Sequence, residues 1–131
     1  MHAAAAEIYG GLGFGYDPTM EAAEHGIRID FDPNAADVGE YDPASAVIRV
    51  RHCSRTYYRS TATFQLAHAV LERPSIADAV QFAAARLIDR DDLEALASAT
   101  TDRGVWAKAL GIRTWLLHAY LQVRAGLPVT A

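Results

Sequence analysis

His68 and Glu72 stand four residues apart in the stretch Thr63-Phe64-Gln65-Leu66-Ala67-His68-Ala69-Val70-Leu71-Glu72. Helix formers dominate this stretch, and Phe64, Ala67 and Leu71 recur at helical spacing. Residues four apart share one face of a helix, so an imidazole and a carboxylate can point at one spot. Two histidines at that spacing can hold zinc while a glutamate between them acts as a base. Here Ala69 occupies the base position and Glu72 the second histidine's position. As plain neighbours on a helix, His68 and Glu72 would form a hydrogen-bonded pair contributing roughly 0.2–0.5 kcal/mol.

Two further groups of side chains invite a chemical reading. Arg49, Arg51, Arg55 and Arg59 form a basic run with no acid among residues 49–59, interleaved with Tyr57 and Tyr58. Bases alternating with aromatics suit a nucleic-acid or protein-partner patch, or a solvated face that balances acids elsewhere in the chain. Residues 105–120 have the spacing of a helix-turn-helix, with Gly111 at the turn and Trp106, Leu110, Ile112, Leu117 and Tyr120 inside. If that unit read DNA, Arg113, Thr114, Trp115 and His118 would lie on the exposed side of its second helix; two helices packed as a core element explain the same pattern. His52 and Cys53 are adjacent near a strand end, where successive side chains diverge, and make a poor chelate. The glycines at 10, 11, 13 and 15 have no strand before them and no Lys-Ser/Thr after, so a lead-in over residues 1–16, flexible or loosely packed, fits better than a phosphate loop.

The elements that must position these residues follow from local signals. Asp17-Pro18 offers an N-cap and a proline at the first helical position, predicting a short helix over about 18–25 closed by Gly26. Gly26-Ile27-Arg28-Ile29-Asp30-Phe31 and Ala46-Val47-Ile48-Arg49-Val50-Arg51 alternate apolar and polar residues as half-buried strands do, with a third strand possible at 38–41. Their short connections predict an antiparallel sheet. From Tyr57 onward the pattern is helical. Pro74 ends the His68 helix, Ser75-Ile76-Ala77-Asp78 resembles a capping box, and Asp89 and Thr101 or Asp102 cap two more helices. A last helix is predicted from about Arg113 to Ala125. The fold class is α+β, with a small antiparallel sheet against a mostly helical body in a single domain over 1–131.

Composition narrows the function. The chain has 131 residues, 51% of them hydrophobic, and 26 of these are alanine, so the core needs helices in close approach. A formal charge of -4 argues against a whole-surface nucleic-acid binder. The charge is uneven: residues 1–45 carry nine acids against the single Arg28, a net of -8, and the remainder nets +4. One cysteine, no apolar run of the ~20 residues that a membrane span needs and no basic-then-apolar leader predict a cytoplasmic protein with no membrane partner.

With these residues in place, the chain resembles an ImmA/IrrE-type metallopeptidase domain. Members typically read Phe-x-Leu-Ala-His-Glu-Leu-Gly-His on the active helix, where this chain has Phe64 to Glu72. Upstream, Gly39-Glu40-Tyr41 and Ile48-Arg49-Val50 are similar to the family's turn and strand; downstream, Asp78-Ala79-Val80-Gln81-Phe82-Ala83-Ala84 is similar to the helix that carries the third ligand. The resemblance covers roughly residues 18–125 and implies metal positions at His68, Glu72 and Asp78, with the base position at Ala69. Losing the base removes a contribution of order 10²–10⁴ in rate, and carboxylates at 72 and 78 weaken a preference for zinc. The expectation is therefore a catalytically degenerate domain that acts on a protein partner. The family implies a helix-turn-helix repressor, in phage or mobile-element immunity or a stress response. Two rivals stay open: a metallopeptidase using zinc or another divalent metal on His68, Glu72 and Asp78, and a DNA-binding regulator using the C-terminal helix pair. A further alternative is that Ala69 was engineered.

Overall fold

A computed structural model describes residues 15–129. Among them the chain forms α1 (Pro18–Glu24), β1 (Arg28–Phe31), β2 (Glu40–Asp42), β3 (Val47–Val50), α2 (Arg55–Val70), α3 (Ile76–Leu87), α4 (Arg90–Ala99), α5 (Arg103–Leu110) and α6 (Thr114–Arg124). This is the α+β class that the patterns predict. No helix of the described residues is long and apolar enough to cross a membrane. Of the lead-in, residues 1–14 lie outside the described residues, while Tyr16 is buried and donates to Glu21 Oε1 at 2.6 Å.

Local chemistry sets most boundaries. Asp17 caps α1 through Thr19 N with Pro18 behind it. Ser75 and Asp78 form a complete capping box on α3, each side chain bonding the other's backbone N–H at 3.0 Å. Asp89 caps α4, Asp102 caps α5, and Gly111 ends α5 at φ 68° in the left-handed region.

The sheet departs from expectation. Its order is β1-β3-β2: β2 pairs antiparallel with β3, and β1 pairs parallel with β3, Ile29 opposite Ile48. The fully antiparallel prediction assumed that each strand pairs with the next. Instead residues 32–46, which include β2 and its turn, together serve as the connection that a parallel pair requires. The sheet's inner face, carrying Ile48 and Val50, meets α2. On its other face Arg49 sits between register partners Asp30 and Glu40 and pairs with Asp42 at 3.7 Å.

Helix α2 is the centre of the molecule. Every residue from Arg59 to Ala67 is buried, and the helix packs on α1, β2, β3 and α3. Close approach is possible because this segment offers Ser60, Thr61, Ala62, Thr63 and Ala67, and its neighbour offers Ala79, Ala83 and Ala84. Beyond α3 the layers continue through α6 and α5 to α4. Glu21 ties α1 to α3: Arg86 donates from Nε (2.7 Å) and Nη2 (2.9 Å) to its two oxygens, while the guanidinium lies 3.4 Å over Phe82.

Two outcomes follow. Gly39 adopts φ +79°, and a Cβ there would fall 2.8 Å from Thr61 Cγ2 and 2.9 Å from Gln65 Cγ, whereas Gly126 adopts φ +75° in open space. Gly126→Ala should cost about 1–2 kcal/mol for its backbone alone, and Gly39→Ala distinctly more, read as the difference between their urea midpoints. Burial acts to raise the Glu21 pKa, but the hydrogen bonds from Arg86 and Tyr16 outweigh it and hold the group below the ordinary glutamate value of 4.5. Glu21 therefore stabilises the fold above pH 4.5, and that contribution disappears as pH falls through the depressed folded value. Thermal melts from pH 7 to 3 should show an acid-side loss in the wild type that Glu21→Gln lacks, with the variant about 1–3 kcal/mol less stable at pH 7.

Candidate functional site

Helix α2 ends at Val70, before Glu72. Leu71 is already extended (φ −87°, ψ 149°), and Arg73 has φ 48°. Pro74 bars Arg73 from helical geometry and so limits how far the helix can run, and the chain leaves the helix at Leu71, before that limit. His68 and Glu72 thus do not share a helical face as predicted. His68 is half-buried, with Nδ1 3.1 Å from Phe64 O and its ring edge-on to Phe64 at 5.1 Å. Ala69 is half-buried against the core. Glu72 is exposed and lies beside Asp78 at an open depression walled by Leu71, Pro74, Gln81 and Phe82. His68 is absent from its walls, and one Asp78 oxygen accepts the Ser75 N–H of the capping box. Among the described residues no three His, Cys, Asp or Glu side chains form a group able to hold a metal ion. The donors His68, Glu72 and Asp78, as placed here, do not fit zinc, which needs them around one centre.

The basic run is divided among separate environments. Arg49 faces the acids of the sheet's outer side. Arg51 donates through Nε to Ala35 O at 3.0 Å, with Asp37 at 3.8 Å. Arg55 is exposed at the start of α2, and Arg59, four residues on, is 5% exposed. Arg59 reaches Tyr16 O and Gly111 O at 3.5 Å, and burial, with Arg55 nearby, lowers its pKa. The four guanidinium groups do not present one surface.

The helix pair 103–124 is present, and its second helix is turned partly inward. Thr114 and His118 are exposed, with Arg103 Nη1 3.4 Å from His118 Nδ1. Trp115 is half-buried, its ring perpendicular to Phe64 at 5.1 Å. Arg113 donates from Nη2 to Asp37 Oδ2 (2.5 Å) and from Nη1 to Asp37 O (2.9 Å) and Thr61 Oγ1 (3.1 Å). Its guanidinium lies 4.6 Å over the Tyr57 ring. Tyr57 donates to the same Asp37 carbonyl at 2.6 Å. The Arg113 hydrogen bond, reinforced by the charges of Arg113 and Arg51, holds Asp37 below the usual aspartate range. Gln65 donates to Val38 O (2.7 Å) and Gly39 O (3.1 Å). The β1–β2 loop is thereby fixed against α2 and the start of α6.

That fixation places Asp37 and Val38 on the wall of a cavity beside the predicted helix. A cleft of about 570 Å³ lies between the β1–β2 loop, α2, the start of α3, α6 and the segment after it. Its lining is Asp37, Val38, Phe64, Ile76, Trp115, His118, Ala119, Gln122 and Val129. The composition is that of a binding cleft: apolar and aromatic walls with a few polar groups. The Trp115 indole N–H is buried and meets no hydrogen-bond acceptor among the described residues. Of these residues, sequence reasoning singled out Trp115 and His118 as DNA-facing and Phe64 as part of the helix frame. Asp37 stood only among the counted acids, because nothing local links it to Arg113, 76 positions away.

Arg113 should therefore behave as a structural clamp. Arg113→Ala is expected to lower stability by about 2 kcal/mol, and to raise hydrogen exchange at the Val38 and Gly39 amides. Arg113→Lys should restore little, because an ammonium cannot reproduce the fork on Asp37 and Thr61. Comparison with protein-family models, with curated proteins and with solved structures finds no match to this chain.

Proposed function

We propose that this protein works by binding a protein partner in the cleft bordered by Phe64, Trp115 and His118, as a catalytically degenerate relative of the ImmA/IrrE-type domains it resembles. The observation that carries this reading is the pairing of an apolar, aromatic-walled cleft with a helix that has lost the base position, where Ala69 stands. Peptide recognition favours such walls, because an apolar side chain entering them leaves water while the rim fixes its orientation. The resemblance points to a helix-turn-helix repressor as the partner and to phage, mobile-element or stress regulation in the cytoplasm as the setting. Binding would sequester the repressor or compete for it.

A nucleic-acid role draws less support, because Arg59 and Arg113 are engaged inside the fold. A photo-crosslinking amino acid placed at His118 on the cleft rim, and in a control at exposed Ser98 on α4, tests the proposal in the source cells. The expected result is a discrete protein adduct at 118 and none at 98. Adducts to nucleic acid alone, or an identical pattern at both positions, would overturn it. So would chelator-sensitive peptide hydrolysis by protein that keeps stoichiometric zinc through dialysis.

A further inference from the structure

The segment that follows α6 doubles back onto the cleft. Gly126 takes φ +75°, its N–H bonds Val123 O at 3.1 Å, and Leu127 N bonds Gln122 O at 2.9 Å. This paired arrangement ends a helix and reverses the chain beside its last turns. Pro128 fixes its own φ and cannot donate a hydrogen bond, so the segment cannot resume a helix. Leu127 is then 57% exposed, whereas Val129 is half-buried, packs on the core and lines the cleft with Trp115, His118 and Gln122. The less exposed of these two aliphatic side chains is the one turned toward the cavity.

We infer that Leu127-Pro128-Val129 is an autoinhibitory strap: Val129 occupies part of the cleft, and an incoming apolar side chain must displace it. The inference rests on the proposed binding role of the cleft, and the Schellman-type turn at Gly126 supplies the hinge. Val129 is only half-buried and the strap adds no cross-strand ladder, so little holds the closed state. Such a segment opens far more readily than the core around it. Partner affinity falls by the fraction of time that the strap is closed.

The strap can be tested without any partner. The chain contains two tryptophans, so Trp106→Phe leaves Trp115 as the single reporter on the cleft wall. In that background Val129→Ser should raise the acrylamide quenching constant of Trp115 about twofold and red-shift its emission, as a covering wall is lost. Deletion of residues 127–131 should do the same. Leu127→Ser, at an exposed position, should leave both readings unchanged. Circular dichroism melts on each variant separate uncovering from unfolding, and Gly126→Pro, which locks the hinge away from φ +75°, provides a second route to an open strap. Unchanged quenching in Val129→Ser and in the deletion overturns the strap. A rise on deletion that Val129→Ser fails to reproduce overturns Val129 as the covering residue. Either failure leaves the crosslinking test of partner binding intact, and a failed crosslink leaves the quenching result standing.

Discussion

Helix α2 runs through the interior with every residue from Arg59 to Ala67 buried, and a helix so placed makes it costly to leave its long polar side chains without partners. It carries two of these. Arg59 finds the carbonyls of Tyr16 and Gly111, and Gln65 finds those of Val38 and Gly39. Each requirement recruits a remote piece of chain. Satisfying Gln65 brings the β1–β2 loop down until Gly39 has no room for a side chain. Satisfying Arg59 brings the α5–α6 turn against the helix. The walls of the cleft are therefore a consequence of burying α2, and its shape is set by hydrogen bonds made at the rear of those walls.

The uneven charge of the chain finds its account in the same contacts. The acidic first third and the basic remainder meet across long sequence separations, Glu21 with Arg86 and Asp37 with Arg113. These pairs differ in kind. Glu21 is nearly withdrawn from water, so removing its partner would strand a charge. Asp37 is about half exposed, and its Coulombic contribution is screened. What makes the Asp37 site firm is geometry: Arg113 and Tyr57 converge on its main-chain carbonyl while the guanidinium stacks over the Tyr57 ring. An excess of arginine in one part of a chain and of acid in another is here an instruction for assembly. It need not announce a nucleic-acid surface.

Signals that act within a turn of helix were legible in the sequence. Asp17-Pro18, the Ser75–Asp78 box, Asp89, Asp102 and Gly111 each stand where their chemistry predicts. Signals that depend on competition were misread. The spacing of His68 and Glu72 suggested a shared face, but the helix ends between them, short of the limit that Pro74 sets at Arg73. Strand direction failed for a related reason: connection length excludes a parallel neighbour only when the intervening residues are not themselves a strand of the sheet. Arg59 was legible only as part of a basic run, and the whole fold is needed to reveal that α2 has no outer side between Arg59 and Ala67. The cleft was illegible as a unit. Its walls come from five separate segments, and Phe64 and Trp115 become neighbours only after α6 has docked.

The alanine-rich composition constrains what such a cleft can do. Small side chains let α2, α3 and α6 approach closely, which strengthens contact within the bundle and leaves little freedom for the helices to separate. An opening that had to part those helices would disturb the core itself. The segment after Gly126 carries no such burden. It holds no strand pairing, its turn is closed by two backbone hydrogen bonds, and its contribution to the interior is one half-buried valine. When a rigid body and a lightly held edge border the same cavity, a change in the size of that cavity is taken up at the edge. Close packing around α2 and the light attachment of the segment after Gly126 are then two aspects of one arrangement.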